Sequence, residues 1–187
     1  MKGFLCFDTK YGSTEQICRW IASEIKCAQV IIQNVNLINN SNYGNYDNYD
    51  FYIIGTPIFI GKPMKSVVDF IQLNEHKFIG KPVFLFITSW AQSTKYKEEC
   101  GKFINLMKFY LAPCEAILIE SLPGKLLMDK ITQRDRKTME RLLRRIDNMS
   151  SEFDSKKIIF NDQRSKKLSM EFGRKINEKL KYQSSLL

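Results

Sequence analysis

Hydroxyl-bearing residues and a glycine gather near the amino terminus, where Phe7-Asp8 is followed by Thr9-Lys10-Tyr11-Gly12-Ser13-Thr14. An apolar run precedes this segment and a helical pattern follows it, so the segment predicts the turn between a first strand and a first helix. Such a turn aims main-chain N–H groups and the positive end of the helix dipole at one point, which suits a phosphate. The hydroxyls of Thr9, Ser13 and Thr14 can add donors, and Gly12 allows the main chain to approach closely.

A simpler interpretation of the same segment is that Ser13 only caps the helix, as serine and threonine often do. The residues alone leave both interpretations open. The spacing is neither the GxxxxGK[ST] loop of nucleotide triphosphatases nor the GxGxxG loop of dinucleotide-binding folds. The spacing therefore favours neither ATP nor a dinucleotide as the ligand.

Other residue types that carry chemistry are sparse. His76 is the only histidine and stands between Glu75 and Lys77, which predicts a surface position and excludes a site built from several histidines. No Ser-His-Asp or Cys-His arrangement and no metal site can be argued from spacing. The five cysteines form no CxxC pair and predict reduced, structural thiols: Cys6, Cys18, Cys27, Cys100 and Cys114. Any chemistry should therefore come from a bound cofactor.

Charge divides the chain unequally. The net charge is +9, of which residues 1–94 carry +1 and residues 95–187 carry +8. A positive field favours anionic partners, whether acidic proteins, anionic lipid or nucleic acid. The apolar run Gly3 to Phe7 is too short for a signal-peptide core, and no run is long enough to cross a bilayer. We therefore expect a cytoplasmic protein.

Five short apolar runs, rich in β-branched and aromatic residues, predict buried strands, and amphipathic helical patterns separate several of them. This alternation is typical of a parallel sheet covered on both faces, in an α/β fold that spans residues 1–187 as a single domain. The predicted strands are Gly3 to Phe7, Val30 to Gln33, Phe51 to Gly55, Val83 to Thr88 and Ala116 to Glu120.

A basic helical stretch follows the fifth strand, and residues 123–155 are interpreted as an insertion. Residues 125–149 contain eight basic and four acidic side chains, with apolar residues along one side of a predicted helix. This pattern is typical of a helix that lies on an anionic membrane or of a helix packed on its own domain. In a cytoplasmic protein, the membrane surface would be the inner face of the cell membrane. Nucleic acid is not expected, because no binding motif accompanies the charge. Residues 157–160 could form a short returning strand, and a final helix follows.

The segment Thr9 to Thr14 resembles the phosphate loop of flavodoxins, usually written Ser/Thr-x-Thr-Gly-x-Thr. Thr9, Gly12 and Thr14 match this pattern, and Tyr11 departs from it. The resemblance implies FMN as the cofactor and a doubly wound five-stranded parallel sheet of order 2-1-3-4-5, here with the helical insertion after strand 5. The loop would hold the phosphate through Thr9, Lys10, Tyr11, Gly12, Ser13 and Thr14.

Two further loops stand where the family holds the flavin ring. Thr56-Pro57-Ile58-Phe59-Ile60-Gly61-Lys62 resembles the Gly-Ser/Thr-Pro-x-Tyr/Phe-x-Gly segment of flavodoxin relatives, and Ser89-Trp90-Ala91-Gln92-Ser93 follows the fourth strand. Phe59 and Trp90 are the candidates for covering the ring. The resemblance thus implies ring contacts from Pro57, Ile58, Phe59, Ile60, Gly61, Ser89, Trp90 and Ala91.

The order of these motifs is most similar to the flavodoxin subfamily that includes menaquinone-dependent protoporphyrinogen oxidases. This resemblance implies an FMN-dependent oxidoreductase that passes electrons from a reduced organic substrate, of which protoporphyrinogen IX is one candidate, to a quinone. Two alternatives stay open: an electron carrier that serves another redox protein, and a flavodoxin-like interaction module without a cofactor.

Overall fold

The computed structural model describes residues 1–37, 48–93, 96–112, 114–125, 130–147 and 162–185. Within these residues the chain alternates strands with helices. The strands are β1 (Lys2–Phe7), β2 (Gln29–Asn34), β3 (Phe51–Phe59), β4 (Lys62–Pro63), β5 (Val83–Ser89) and β6 (Ala116–Pro123). The helices are α1 (Ser13–Glu24), α2 (Lys65–Phe78), α3 (Cys100–Leu111), α4 (Gln133–Asp147) and α5 (Asp162–Ser184).

Five strands form a parallel sheet in the order β2-β1-β3-β5-β6, and β4 pairs antiparallel with β3 outside that path. Counted in chain order without β4, this is the predicted order 2-1-3-4-5. The fold prediction is confirmed, including the helix after the last parallel strand, which is α4. Because all five strands run in one direction, their carboxyl ends share one edge of the sheet, and the predicted site loops leave from that edge.

Side chains alternate between the two faces of the sheet, and each face has its own apolar cluster. In β3, Phe51 and Ile53 join the cluster beneath α1 and α5, whereas Tyr52 and Ile54 join the cluster beneath α2 and α3. Helices α1 and α5 pack against each other over the first of these faces, where Phe172 is fully buried against the sheet.

Two strands extend three or more residues past their predicted ends, and the other three differ by one residue at one or both ends. Strand β3 continues past Gly55 to Phe59, so part of the segment predicted as a loop is strand. Strand β1 stops opposite Gly55, and at Pro57 itself the described pairing is with Thr88 of β5 alone, which accommodates the proline. Strand β6 continues to Pro123, the residue where the insertion was expected to begin.

The cysteines and the single histidine can be compared directly with their predicted environments. All five cysteines are free thiols, and burial raises the pKa of Cys6 and of Cys18. His76 is exposed as predicted, but it lies in the last turn of α2 and not in a connecting turn. Residues 157–160 lie outside the described part of the chain. No helix in the described part is long and apolar enough to cross a bilayer.

Gly173 marks the closest approach of α5 to α1. A Cβ atom at this position would lie 2.4 Å from the main-chain oxygen of Ile21 and 2.9 Å from the Cβ of Glu24. The two helices can cross at this distance only because residue 173 has no side chain.

We predict that Gly173→Ala lowers the free energy of unfolding by about 1–3 kcal/mol, because the added methyl group forces the two helices apart. Urea unfolding followed by circular dichroism measures the change. Gly101→Ala is the matched control: Gly101 is also helical, but a Cβ there meets nothing within 4 Å, so this variant should lose no stability. Equal losses in both variants would contradict the role given to the α1–α5 crossing.

Candidate functional site

The carboxyl edge of the sheet opens into a cleft of about 360 Å³. Its walls come from the turn after β1, the end of β3 with the turn into β4, the segment after β5, the start of α3, and α4. Every residue predicted from the sequence to contact the cofactor lines this cleft except Gly12: Thr9, Lys10, Tyr11, Ser13, Thr14, Pro57, Ile58, Phe59, Ile60, Gly61, Ser89, Trp90 and Ala91. The fold thus brings the three predicted loops together.

Gly12 occupies the N-cap position of α1 with φ of 88°, a left-handed conformation that favours glycine. No side chain caps the helix, so the capping role considered for Ser13 is wrong. The Oγ atom of Ser13 instead accepts a hydrogen bond of 2.9 Å from the main-chain N–H of Lys125, beyond the end of β6. The first-turn N–H groups of α1 have no acceptor within the helix and none from a capping side chain.

A buried carboxylate supports the loop from beneath. Asp8 is 2% exposed, and its Oδ1 atom accepts a hydrogen bond of 2.6 Å from the N–H of Thr9. Its other oxygen accepts a hydrogen bond from the hydroxyl of Ser66, at the start of α2. The N–H of Gly12 in turn donates to the Oγ1 atom of Thr9 at 2.9 Å. These bonds fix the loop between β1 and α1 before any ligand binds.

The turn between β3 and β4 consists of Ile60 and Gly61, which both have positive φ angles, of 51° and 75°. Two successive residues in this conformation make the tight hairpin turn that the twist of the flanking strands favours. Glycine adopts this conformation freely, whereas a β-branched isoleucine is strained in it. The N–H of Met64 donates to the Oγ1 atom of Thr56 at 3.0 Å and closes the base of the hairpin.

The third predicted loop is short and partly helical. Ser89 is the last residue of β5, and its hydroxyl accepts a hydrogen bond of 3.2 Å from the N–H of Ala91. The ring of Trp90 meets that of Tyr96 edge to face, with centroids 6.0 Å apart. Trp90 therefore lies at the boundary between the cleft and the start of α3.

Helix α4 closes the cleft above the loop after β1. The carboxylate of Asp135 lies 2.7 Å from the ammonium of Lys10 and accepts a 2.5 Å hydrogen bond from the hydroxyl of Tyr11. The same ammonium lies 3.8 Å from the centroid of the Phe59 ring, so one lysine touches both the α4 helix and the β3–β4 hairpin. Met139, on the next turn of α4, is 3% exposed and lines the cleft.

This packing decides which side of α4 faces the protein. Asp135 and Met139 are buried one turn apart on α4, and Ile131 is buried just before the helix, whereas Arg134 and Lys137 are exposed. Of the two arrangements considered for this helix, the described residues show it packed on its own domain with a charged outer side.

Burial by itself would raise the pKa of Asp135, but hydrogen bonds from Lys10, Tyr11 and Thr132 hold that pKa below its ordinary value. Burial and, after it, the hydrogen bond to Asp135 raise the pKa of Tyr11. At neutral pH Asp135 is therefore an anion that accepts a hydrogen bond from a protonated Tyr11.

Seven residues line the cleft without having been predicted: Thr88, Tyr96, Glu99, Phe103, Gly124, Lys125 and Met139. Thr88 is the last residue of the predicted fourth strand, and the carboxyl end of that strand was predicted to lie at the site. Its position in the sequence could therefore have predicted that it lines the cleft. Its Oγ1 atom lies 3.2 Å from that of Thr14. Tyr96, Phe103 and Met139 belong to apolar helix patterns, which predict burial without specifying the neighbour.

The fold and the cleft define a doubly wound α/β protein whose first helix begins at the cleft without a capping side chain. The family model described as a flavodoxin domain matches residues 4–154, which is most of the sequence. The chain therefore belongs to the flavodoxin domain family.

Solved structures show the same fold. A flavodoxin from the domain Archaea aligns over 97% of this chain and 99% of its own, with a TM-score of 0.59 and 13% identity. Flavodoxin of Megasphaera elsdenii, in its two-electron reduced state, aligns over 73% of this chain and 94% of its own, with a TM-score of 0.50 and 17% identity. The flavodiiron protein of Giardia intestinalis aligns over 95% of this chain and 35% of its own, with a TM-score of 0.52 and 10% identity. No curated protein sequence matches this chain significantly.

We predict that Asp135→Asn lowers the free energy of unfolding by about 1–2 kcal/mol, because it removes the charge from two hydrogen bonds between α4 and the loop after β1. Asp69→Asn removes an exposed carboxylate that pairs with Lys65 one turn away, and this control should cost about 0.5 kcal/mol or less.

The stability contributed by Asp135 should depend on pH in one direction. A carboxyl group whose pKa is lowered by folding stabilises the protein above its unfolded pKa, and the stabilisation is lost as the pH falls through the folded value. The stability difference between wild type and Asp135→Asn should therefore be full at neutral pH and shrink in acid. A difference that is unchanged down to strongly acidic pH would contradict the charged contact.

Proposed function

We propose that this protein binds FMN in the cleft and uses it to transfer electrons. The observation that carries the proposal is that α1 begins at Gly12 without a capping side chain, and that Ser13 and Thr14 of its first turn line a cleft that the two other loops complete. FMN is the cofactor that the resemblance to flavodoxins implies, and the residues present fit both of its ends.

At the phosphate end, the donors are of the required kind. The hydroxyls of Thr9, Ser13 and Thr14 lie around the first turn of α1, together with N–H groups that have no acceptor within the helix. Lys10 adds positive charge at the same loop, although Asp135 already neutralises part of it. The main chain therefore supplies most of the attraction for a dianion.

At the ring end, two aromatic side chains line the cleft. Phe59 comes from the end of β3, and Trp90 comes from the segment after β5. The hairpin turn at Ile60 and Gly61 places peptide groups beside them. When bound, the flavin would supply the redox chemistry, and these residues would hold its ring and exclude water from it.

For the reaction itself, we propose oxidation of a reduced organic substrate with a quinone as the acceptor. The support is the wall formed by Tyr96, Phe103 and Met139, because apolar side chains beside the ring favour a flat, uncharged reactant. Protoporphyrinogen IX is the candidate substrate that the subfamily resemblance implies.

A second candidate is an electron carrier for a redox protein. The exposed outer side of α4, with Arg134, Arg136, Lys137 and Arg141, favours it, since a basic surface attracts an acidic partner. The same basic stretch, residues 125–149, supports a peripheral contact with an anionic membrane. Because Ile131 and Met139 are buried in the protein, we propose that such a contact uses the charged side of the helix.

The phosphate contact can be tested by comparing FMN with riboflavin, which lacks the phosphate. We predict that FMN binds about 100-fold more tightly, because two or more charge-assisted hydrogen bonds are lost with riboflavin. Ser13→Ala should weaken FMN about tenfold and leave riboflavin unchanged. Ser23→Ala, at the exposed far end of α1, is the control.

Fluorescence titration of the purified protein measures these dissociation constants. Equal affinity for the two flavins would contradict a phosphate site at α1. If neither flavin binds, the third hypothesis, an interaction module without a cofactor, takes precedence.

The acceptor can be tested with the reduced, FMN-loaded protein in stopped-flow experiments. We predict rapid, saturable reoxidation by a soluble menaquinone analogue and a several-fold slower rate in Phe103→Gln, which makes the apolar wall polar. Phe109→Gln is the matched control, because Phe109 lies on the same helix but is 75% exposed. Reoxidation by acidic redox proteins and not by the quinone would favour the carrier.

A further inference from the structure

Asp8 is a buried acidic residue directly before the loop that is proposed to hold the phosphate. It follows Phe7, the last residue of β1, and it precedes Thr9, which lines the cleft. Its exposed fraction is only 2%. A negative charge beside a phosphate opposes the binding of that phosphate, and burial strengthens the opposition because little water screens it.

The hydrogen bonds of Asp8 leave its charge without a counter-ion. Among the described residues, its donors are the N–H of Thr9, at 2.6 Å, and the hydroxyl of Ser66. Both donors are uncharged groups, which satisfy the carboxylate oxygens without adding a positive charge. The negative charge beneath the loop is therefore balanced by dipoles alone.

The two lysines that line the cleft are paired with other carboxylates. Lys10 lies 2.7 Å from Asp135, and Lys125 lies 3.4 Å from Asp162. Each pair cancels most of its own charge at a distance. The positive charge in the second half of the sequence therefore does not offset Asp8 at the proposed phosphate site.

Asp8 also engages one of the donors of the loop. The N–H of Thr9 donates to its Oδ1 atom, and the N–H of Gly12 donates to the hydroxyl oxygen of Thr9. A hydrogen bond to a charged acceptor is about twice as strong as one between neutral groups, so a phosphate must compete with the carboxylate for the N–H of Thr9. The loop consequently offers a phosphate fewer donors than its sequence suggests.

We propose that Asp8 is a specificity-determining residue that limits how much the phosphate contributes to cofactor binding. This inference rests on the proposed function, because it concerns the phosphate end of FMN. Like charges within about 8 Å of each other in a partly buried site weaken binding roughly tenfold or more. The loop therefore holds FMN less tightly than its hydroxyls and main-chain donors would otherwise allow, and FMN dissociates more readily.

The test is Asp8→Asn in the full-length protein, with FMN and riboflavin titrated separately and followed by flavin fluorescence. Asparagine has nearly the same shape, and its amide oxygen can still accept from the N–H of Thr9, so the main change is the loss of the charge. We expect FMN to bind about tenfold more tightly and riboflavin to change less than about twofold.

Asp50→Asn is the matched control. The carboxylate of Asp50 also accepts a 2.6 Å hydrogen bond from a main-chain N–H, that of Lys2, at the opposite end of β1 from the cleft. Strand β1 separates the two sites by roughly 17 Å. The control should therefore leave the ratio of the FMN and riboflavin dissociation constants unchanged.

Ser66→Ala separates the charge of Asp8 from its support of the loop. This variant removes the hydroxyl donor and keeps the carboxylate, so it should not tighten FMN binding. Circular dichroism and the unfolding midpoint establish that all three variants are folded.

Four results would overturn the inference. If wild type prefers FMN and Asp8→Asn leaves that preference unchanged or lowers it, the inference fails and the proposed function stands. If Asp8→Asn changes both flavins equally, Asp8 only supports the loop, and the inference again fails alone. The same holds if Asp50→Asn or Ser66→Ala tightens FMN as much as Asp8→Asn does. If neither flavin binds to the wild type, the proposed function and this inference fail together.

Discussion

The start of helix α1 is the constraint around which the site is organised. A helix that begins on a glycine in the left-handed conformation leaves its first N–H groups without a capping side chain, and buried polar hydrogens of this kind require an acceptor. Other hydrogen bonds hold this turn in place: Asp8 accepts from the N–H of Thr9, and the N–H of Lys125 donates to the hydroxyl of Ser13. Ser13 and Thr14, in the first turn, line the cleft, and an anion bound there would be the natural acceptor for these donors.

Helix α4 completes the cleft and is held there by a charge. Asp135 links it to Lys10 and Tyr11, while Met139 is buried on its inner side and Ile131 is buried just before it. A carboxylate so close to the proposed phosphate site would weaken the attraction for a phosphate, and it also holds the helix over the cleft. The two effects oppose each other, so we expect the helix to matter more for access to the cleft than for affinity.

The fold could be predicted from the sequence because each element carried its own pattern. Alternating strands and amphipathic helices specify a parallel sheet, and the motif at Thr9 to Thr14 fixes which family arrangement it adopts. The site loops were predicted because they follow directly from strand ends. Contacts made across the chain were not predictable: nothing local to Asp135 indicates that it meets Lys10, and nothing near Gly173 indicates its neighbour Ile21. The end of β3 was placed too early because Pro57 is normally a sign that a strand has ended.

Helix α5 lies beyond residue 154, where the match to the family model ends, and yet it supplies much of the cover for one face of the sheet. Phe172, Ile176 and Leu180 are all buried there. A recombinant fragment trimmed to the family boundary would expose α1 and the strands behind it to water. Such a fragment would aggregate, and its failure to hold a flavin would reveal nothing about the cleft, so expression plasmids for this protein should retain the segment through residue 185.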